Sequence, residues 1–296
     1  MQKSKFRSCL QMLSVLLLTA FVSVSCIKED LSECSKPGFS LQVKAFDADN
    51  QELASEYVKD ITLYIFDKNK LFLDTCEVFL QELVMLDYPG HDSLTVVAWG
   101  NSKQGNQKMP ALKKNEHLET AFVSLIKKGN KLSVAGSPDD LFYGSIDIHA
   151  NEFPAKVLPI KRKTSSVIIT ARNLKGYVGY AEGDFRYVVR KKNDKIDFYG
   201  RPGGDEVNYT PPATFNEIGD LVSPVFNIFP TDSELKIDIY HQNVLKATVS
   251  SDSEGKPLRV VEGKLLNVFI NFQEMLSVEM KVTGWNKIEI WKEFKH

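Results

Sequence analysis

Four cysteines and five histidines are the side chains of this 296-residue chain best suited to nucleophilic or metal chemistry. His91, His117, His149, His241 and His296 lie far apart, and no pair has the short spacing that brings two imidazoles onto one metal ion. Asp139-Asp140 could hold calcium, but no further oxygen ligands are spaced around it, so a solvated turn is the simpler reading. Gly203-Gly204 sits in a polar stretch and suits a hairpin turn, not a phosphate cradle. No catalytic residue, metal site or cofactor is therefore expected. The cysteine with a definite chemical assignment is Cys26, whose thiol can accept a diacylglycerol and whose amino group, once freed by cleavage, can take a further acyl chain.

What surrounds Cys26 makes that assignment. Lys3, Lys5 and Arg7 precede an uncharged apolar run from Met12 to Val22, too short for a permanent span of roughly twenty residues. Residues 1–25 are the layout of a signal peptide. Ser23 stands where a large aliphatic residue is usual, with Val22 beside it; plain cleavage leaving a free Cys26 thiol is the alternative. Lys28, Glu29 and Asp30 then resemble the lysine-plus-acidic signal that sends Bacteroidetes lipoproteins to the outer face of the outer membrane. Two or three acyl chains hold a protein firmly, since each buried methylene contributes about 0.8 kcal/mol. Of the remaining cysteines, Cys9 leaves with the signal, while Cys34 and Cys76 are an even pair in an oxidising compartment; a disulfide and two separate thiols both remain open. The formal net charge is -1, and loss of Lys3, Lys5 and Arg7 makes the mature chain more acidic, which gives no electrostatic footprint for nucleic acid.

Period-two alternation dominates the body. Phe39, Leu41, Val43 and Ala45 face one way and Ser40, Gln42 and Lys44 the other, which predicts a half-buried strand. Similar runs occur at 61–66, 94–99, 167–171, 185–190, 235–240, 265–272 and 277–282, separated by turn residues such as Tyr88-Pro89-Gly90 and Ser253-Glu254-Gly255. Many short strands with frequent turns predict a mainly β fold of two sandwiches. Leu118, Ala121, Phe122, Leu125 and Ile126 follow helical spacing, and with Asn115 as cap and Gly129 as stop they predict one short amphipathic helix. The division expected is a signal peptide over 1–25, a lipidated tether over 26–36, a first sandwich over 37–160 and a second over 161–296.

Lys161-Arg162-Lys163 and Arg190-Lys191-Lys192 could meet acidic partners but read more simply as exposed strand ends. Trp99, Trp285 and Trp291 could stack on sugars; isolated tryptophans in strand-rich segments more often pack.

Several segments taken together resemble the FimB-like family of fimbrial anchor lipoproteins of Bacteroidales type V fimbriae. They are Cys26-Ile27-Lys28-Glu29-Asp30-Leu31 with Cys34 soon after, Leu63-Tyr64-Ile65-Phe66-Asp67, Tyr88-Pro89-Gly90 running on to Val96-Val97-Ala98-Trp99-Gly100-Asn101, and Asp140-Leu141-Phe142-Tyr143-Gly144. The resemblance implies two transthyretin-like sandwiches and a lipid-held subunit at the fimbrial base, which limits polymer length and performs no catalysis. Its implied partners are fimbrial shaft subunits and the outer membrane, with neither nucleic acid nor small-molecule substrate. Polymers of this kind join by strand addition, in which main-chain hydrogen bonds supply affinity and alternate side chains fill pockets. A chain lipidated at its amino end cannot shed that end, so the carboxyl end is expected to make the contact, through Val278, Met280 and Val282 and, after a Gly284 turn, Ile288 and Ile290; Val278 to Val282 read at least as well as the last strand of the second sandwich, which makes the final segment the better donor. The alternative is a surface glycan-binding lipoprotein of a nutrient-uptake system, which needs clustered exposed aromatics; an enzyme would need polar groups assembled in space.

Overall fold

The first predicted strand, β1 (Phe39–Phe46), alternates strictly between buried and half-buried side chains, with Phe39, Leu41, Val43 and Ala45 inward. It belongs to a seven-stranded sheet of a computed structural model that describes residues 38–128, 134–180, 182–273 and 276–289. The strand order is β3 (Phe72–Val78), β2 (Ile61–Asp67), β5 (Ser93–Gly100), β10 (Phe142–His149), β11 (Lys156–Arg162), β1 and β4 (Leu83–Leu86). Neighbours are antiparallel except β1 and β11, which run parallel in the register Leu41–Lys156 to Phe46–Lys161. One face of this sheet closes on a core that includes Phe39, Leu63, Ile65, Val96, Phe142 and Ile160.

The central strands β2 and β5 are buried on both faces. Tyr64, Phe66, Val97 and Trp99 turn away from that core and join a second, larger one. Three more sheets enclose it. One orders β17 (Thr214–Phe215), β18 (Leu221–Val222), β12 (Ser165–Arg172), β22 (Lys264–Phe272) and β23 (Leu276–Gly284), with β19 (Phe226–Ile228) also paired to β12. Another orders β21 (Val244–Val249), β20 (Lys236–His241), β13 (Phe185–Lys191), β16 (Val207–Tyr209), β9 (Val134–Ala135) and β8 (Lys127–Lys128). The smallest orders β15 (Pro202–Gly203), β14 (Lys195–Asp197), β7 (Phe122–Leu125) and β6 (Gln107–Lys108). The fold is mainly β, as the alternation predicts. Each half opens with a strand that pairs in parallel with a later one, β1 with β11 and β12 with β22.

The expected amphipathic helix is not formed. Leu118–Thr120 makes one 3₁₀ turn, capped by the ring of His117, and Phe122–Leu125 is strand β7. Asn115 lies in a left-handed turn and donates its N–H to Phe72, so it caps no helix; Gly129 lies outside the described residues. Ala121, Val123 and Leu125 are buried while Phe122 is exposed. The apolar residues thus satisfy period two as well as the helical period, and pairing of β7 with β14 and β6 decides between them.

The same pairing crosses the expected division at residue 160. β7 joins β14, and β9 joins β16, so segments of the first half supply ladder partners to the second. The described residues form one compact unit. The signal peptide, Cys26, Lys28, Glu29, Asp30, Cys34, Ile290, Trp291 and His296 lie outside the described residues.

Candidate functional site

Strand β23 carries the expected contact residues and lies at the edge of its sheet. It pairs antiparallel with β22 over its whole length, from Phe272–Leu276 to Lys264–Gly284, and has no second ladder partner among the described residues. Val278 is buried and Met280 partly so, both against the larger core. These two side chains therefore fill this chain's own sandwich. Leu276 and Val282 are 47% and 42% exposed.

Beyond Gly284 the chain turns through Trp285 and Asn286, the latter in the left-handed region. Lys287 donates its N–H to the Gly284 carbonyl, and the N–H of Glu289 donates to Asn267 Oδ1 at 2.9 Å. The Glu289 carboxylate also meets Lys281 Nζ at 2.9 Å. Ile288, on this short return, is 53% exposed.

A cleft of about 910 Å³ opens beside the start of β23, at the end of β12 and β22 away from β11. Arg172, Lys175, Tyr177, Tyr180, Ile218 and Phe272 are among its walls. The chain leaves β12 through Asn173, in left-handed conformation, which donates from its side-chain amide to Asn271 Oδ1 at 2.9 Å. A single helical turn, α1 (Leu174–Tyr177), buries Leu174 and leaves Tyr177 outside against Phe272, ring centroids 4.9 Å apart. Arg172 reaches both carboxylate oxygens of Asp220, with Nη2 3.0 Å from Oδ2. Tyr180 and Ile218 are 81% and 71% exposed. A rim of large exposed apolar side chains around a fixed ion pair is the surface expected of a docking site.

Sequence reasoning missed this cleft. The signal was present in Gly176-Tyr177-Val178-Gly179-Tyr180, where two tyrosines stand among turn residues with no strand to bury them.

The other candidate residues are structural. Asp139 accepts from the side-chain amides of Asn106 and Gln107, and Asp140 accepts from Arg162. Burial holds the Asp140 carboxyl up at about 6, against the pull of Arg162. Lys161 donates to Asn50, Lys163 meets Glu262 at 2.7 Å, and Arg190 meets Asp238 at 2.7 Å. Trp99 is fully buried beside Tyr143 and Phe198, whereas Trp285 covers Arg162. Both pack, as isolated tryptophans in strand-rich segments more often do, and the alternative sugar-stacking platform is not assembled from Trp99 and Trp285. Cys76 is half-buried on β3, and burial and then Asp74 push its thiol above the usual value. No cluster of three or more His, Cys, Asp or Glu suited to a metal occurs among the described residues.

A sequence profile described as fimbrillin-A associated anchor proteins Mfa1 and Mfa2 matches residues 31–291. The chain belongs to this family. Its members are fimbrial anchor proteins and not enzymes. A related protein, the major fimbrium anchoring subunit FimB of Porphyromonas gingivalis, is 29% identical over 315 residues, covering 95% of this chain and 96% of its own. Among solved structures, the fimbrial anchor protein Mfa2 of Porphyromonas gingivalis superposes with a TM-score of 0.63 at 14% identity, covering 84% of this chain and 97% of its own. A protein of Bacteroides thetaiotaomicron described as a putative polysaccharide binding protein superposes with a TM-score of 0.64 at 17% identity, covering 84% and 96%. The family's β-sandwich fold is that of this chain.

Proposed function

We propose that this protein is an outer-membrane lipoprotein, acylated on Cys26 and exported by way of Lys28, Glu29 and Asp30, that anchors a fimbrial polymer to the cell surface and limits its length. Membership of the anchor family supports the role. The observation that carries the mechanism is the outer edge of β23, which has no second strand partner among the described residues and is met at Val278 by Ser253 alone, next to the cleft of Tyr177, Tyr180 and Ile218. An incoming extended segment adds main-chain hydrogen bonds along that edge and seats an apolar side chain in the cleft. Val278 and Met280 hold β23 in place rather than reaching the partner; Leu276, Val282 and the return around Ile288 border the stretches of the edge on either side of the Ser253 contact.

The test is Cys26→Ala followed by cell fractionation and electron microscopy of the surface polymer. The protein is expected to leave the membrane, and filaments to be shed or to grow abnormally long. Filaments unchanged in amount and length after the protein has left would overturn the anchoring role.

Glycan binding is the second reading, favoured by one observation: Tyr177 and Tyr180 both line the cleft and are both exposed. Titration with oligosaccharides, read by tyrosine fluorescence, separates the two, since a shaft-docking cleft gives no saturable response.

A further inference from the structure

The outer face of the first sheet carries large apolar side chains that the described residues leave exposed. In the β4-β1-β11 register, Met85 lies opposite Ser40, and Leu83, Gln42 and Val157 form one cross-strand row. Ser40 and Gln42 alternate with the inward Phe39, Leu41 and Val43, so this row faces away from the core. Leu83, Met85 and Val157 are 62%, 66% and 43% exposed, and Phe153, just before β11, is 96% exposed. Large apolar groups on an edge strand and its neighbours invite association, and natural edges usually carry charge instead.

The position of this strip selects its occupant. Gly38 is the first described residue, and its carbonyl accepts the N–H of Asn151 at 3.0 Å, two residues from Phe153. Cys26 is twelve residues earlier, so the chain between them spans at most about 40 Å. A bilayer holding acyl chains on Cys26 therefore lies within reach of Phe153. Farther along the same face stand Lys44 and Lys161, held by Glu52 at 3.2 Å and by Asn50. Apolar tips with lysines behind them match the order of acyl chains and phosphates at a membrane surface.

We propose that Phe153, Met85, Leu83 and Val157 rest on the lipid surface, so that the first sheet is oriented on the membrane and not merely tethered to it. This rests on the lipidation reading above. A seated sheet would pass a pull on the filament to the bilayer through a broad contact as well as through a single chain.

The test uses the full chain, purified from its own membranes in detergent and reconstituted into phosphatidylcholine vesicles, as Phe153→Trp and separately as Met85→Trp. Both sites are open, so neither substitution disturbs packing. The added tryptophan emission, taken as the difference from the unsubstituted chain, is expected to shift to shorter wavelength and to be largely lost when the lipids carry bromine near the headgroup. Emission typical of water with no bromine effect overturns the proposal. A shift without quenching also overturns it, because a protein surface, such as a second copy of the chain, would then cover the strip. Mass spectrometry of the amino-terminal peptide on the same preparation tells the two readings apart. Acylated Cys26 with an unquenched reporter sinks the seating alone, while an unacylated Cys26 sinks the lipidation and removes the reason for placing a bilayer there.

Discussion

Arg162 donates its Nε–H to both carboxylate oxygens of Asp140, at 2.9 and 3.0 Å, while its guanidinium lies over the rings of Phe142 and Trp285 at 4.9 and 4.7 Å. Phe142 belongs to the first sheet and Trp285 to the turn after the last strand, so one buried cation ties the carboxyl-terminal turn to the first sheet. Replacing Arg162 by Met leaves the Asp140 carboxylate without its cation and costs on the order of 3 kcal/mol. The sign with pH follows from Asp140, whose carboxyl burial already raises to about 6 and which rises further without the guanidinium. A raised carboxyl favours the folded state at low pH and loses that advantage as pH rises through its folded value. The deficit of Arg162→Met is therefore expected to be large at pH 8 and smaller at pH 5. Urea denaturation at both pH values checks it; a deficit independent of pH would remove Asp140 from the account.

Lys191 gives an opposite pH dependence. Its ammonium is buried and donates to the carbonyls of Lys192 and Asn193, and burial, opposed by Asp194, lowers it to about 7. The unfolded chain then holds a proton that the folded chain releases between about 7 and the ordinary lysine value. Folding stability should consequently rise with pH over that window, with a slope up to about 1.4 kcal/mol per unit from this residue. Lys191→Met removes the slope. Thermal unfolding from pH 7 to 9.5 measures it, and equal slopes in both proteins would refute the assignment.

β1 was legible because it buries one whole face and must repeat every second residue, and β2, β5 and β22 because they are buried on both faces and read as apolar runs bounded by turn residues. The pairing across residue 160 was not legible, because β7 and β9 find partners more than sixty residues away, in β14 and β16, and a single sequence records no such pairing. The helix over 118–126 failed for a related reason, since Ala121 and Leu125 fit both periods and only the neighbour β14 decides. Val278 and Met280 form the alternating strand that the sequence indicates, and its buried face is the chain's own, the alternative that the sequence left open. Tyr177 and Tyr180 went unremarked because short turn segments have no period from which exposure can be read.

Gly144 permits the closest approach in the first sheet. A Cβ there would stand 2.1 Å from the carbonyl oxygen of Pro159, a backbone atom that cannot move aside alone. Gly144→Ala is expected to cost on the order of 3 kcal/mol through displacement of β10 from β11. Gly203, whose added Cβ meets nothing within 4 Å, is the control, and Gly203→Ala should change stability by no more than about 0.5 kcal/mol. Comparable losses in the two variants would show that backbone entropy, not steric approach, governs Gly144.

The cleft and the edge of β23 can be separated by substitutions that leave the core alone. Tyr180 and Ile218 contribute little to stability because most of each side chain is already in water, so Tyr180→Asp with Ile218→Asp should move the unfolding midpoint by no more than the equivalent of about 1 kcal/mol. If an apolar side chain of the next subunit sits there, two carboxylates beside it would be desolvated without partners, and filaments should detach from cells whose anchor remains in the membrane fraction. Removing residues 287–296 instead strips the return that ties Glu289 to Asn267 and Lys281 while leaving all of β23 paired to β22 and Trp285 over Arg162. Detachment by the truncation but not by the aspartates would place the contact on the carboxyl segment; detachment by the aspartates alone would place it in the cleft. Retention of filaments by both variants would mean that the shaft joins elsewhere, and strand addition at β23 would have to be abandoned.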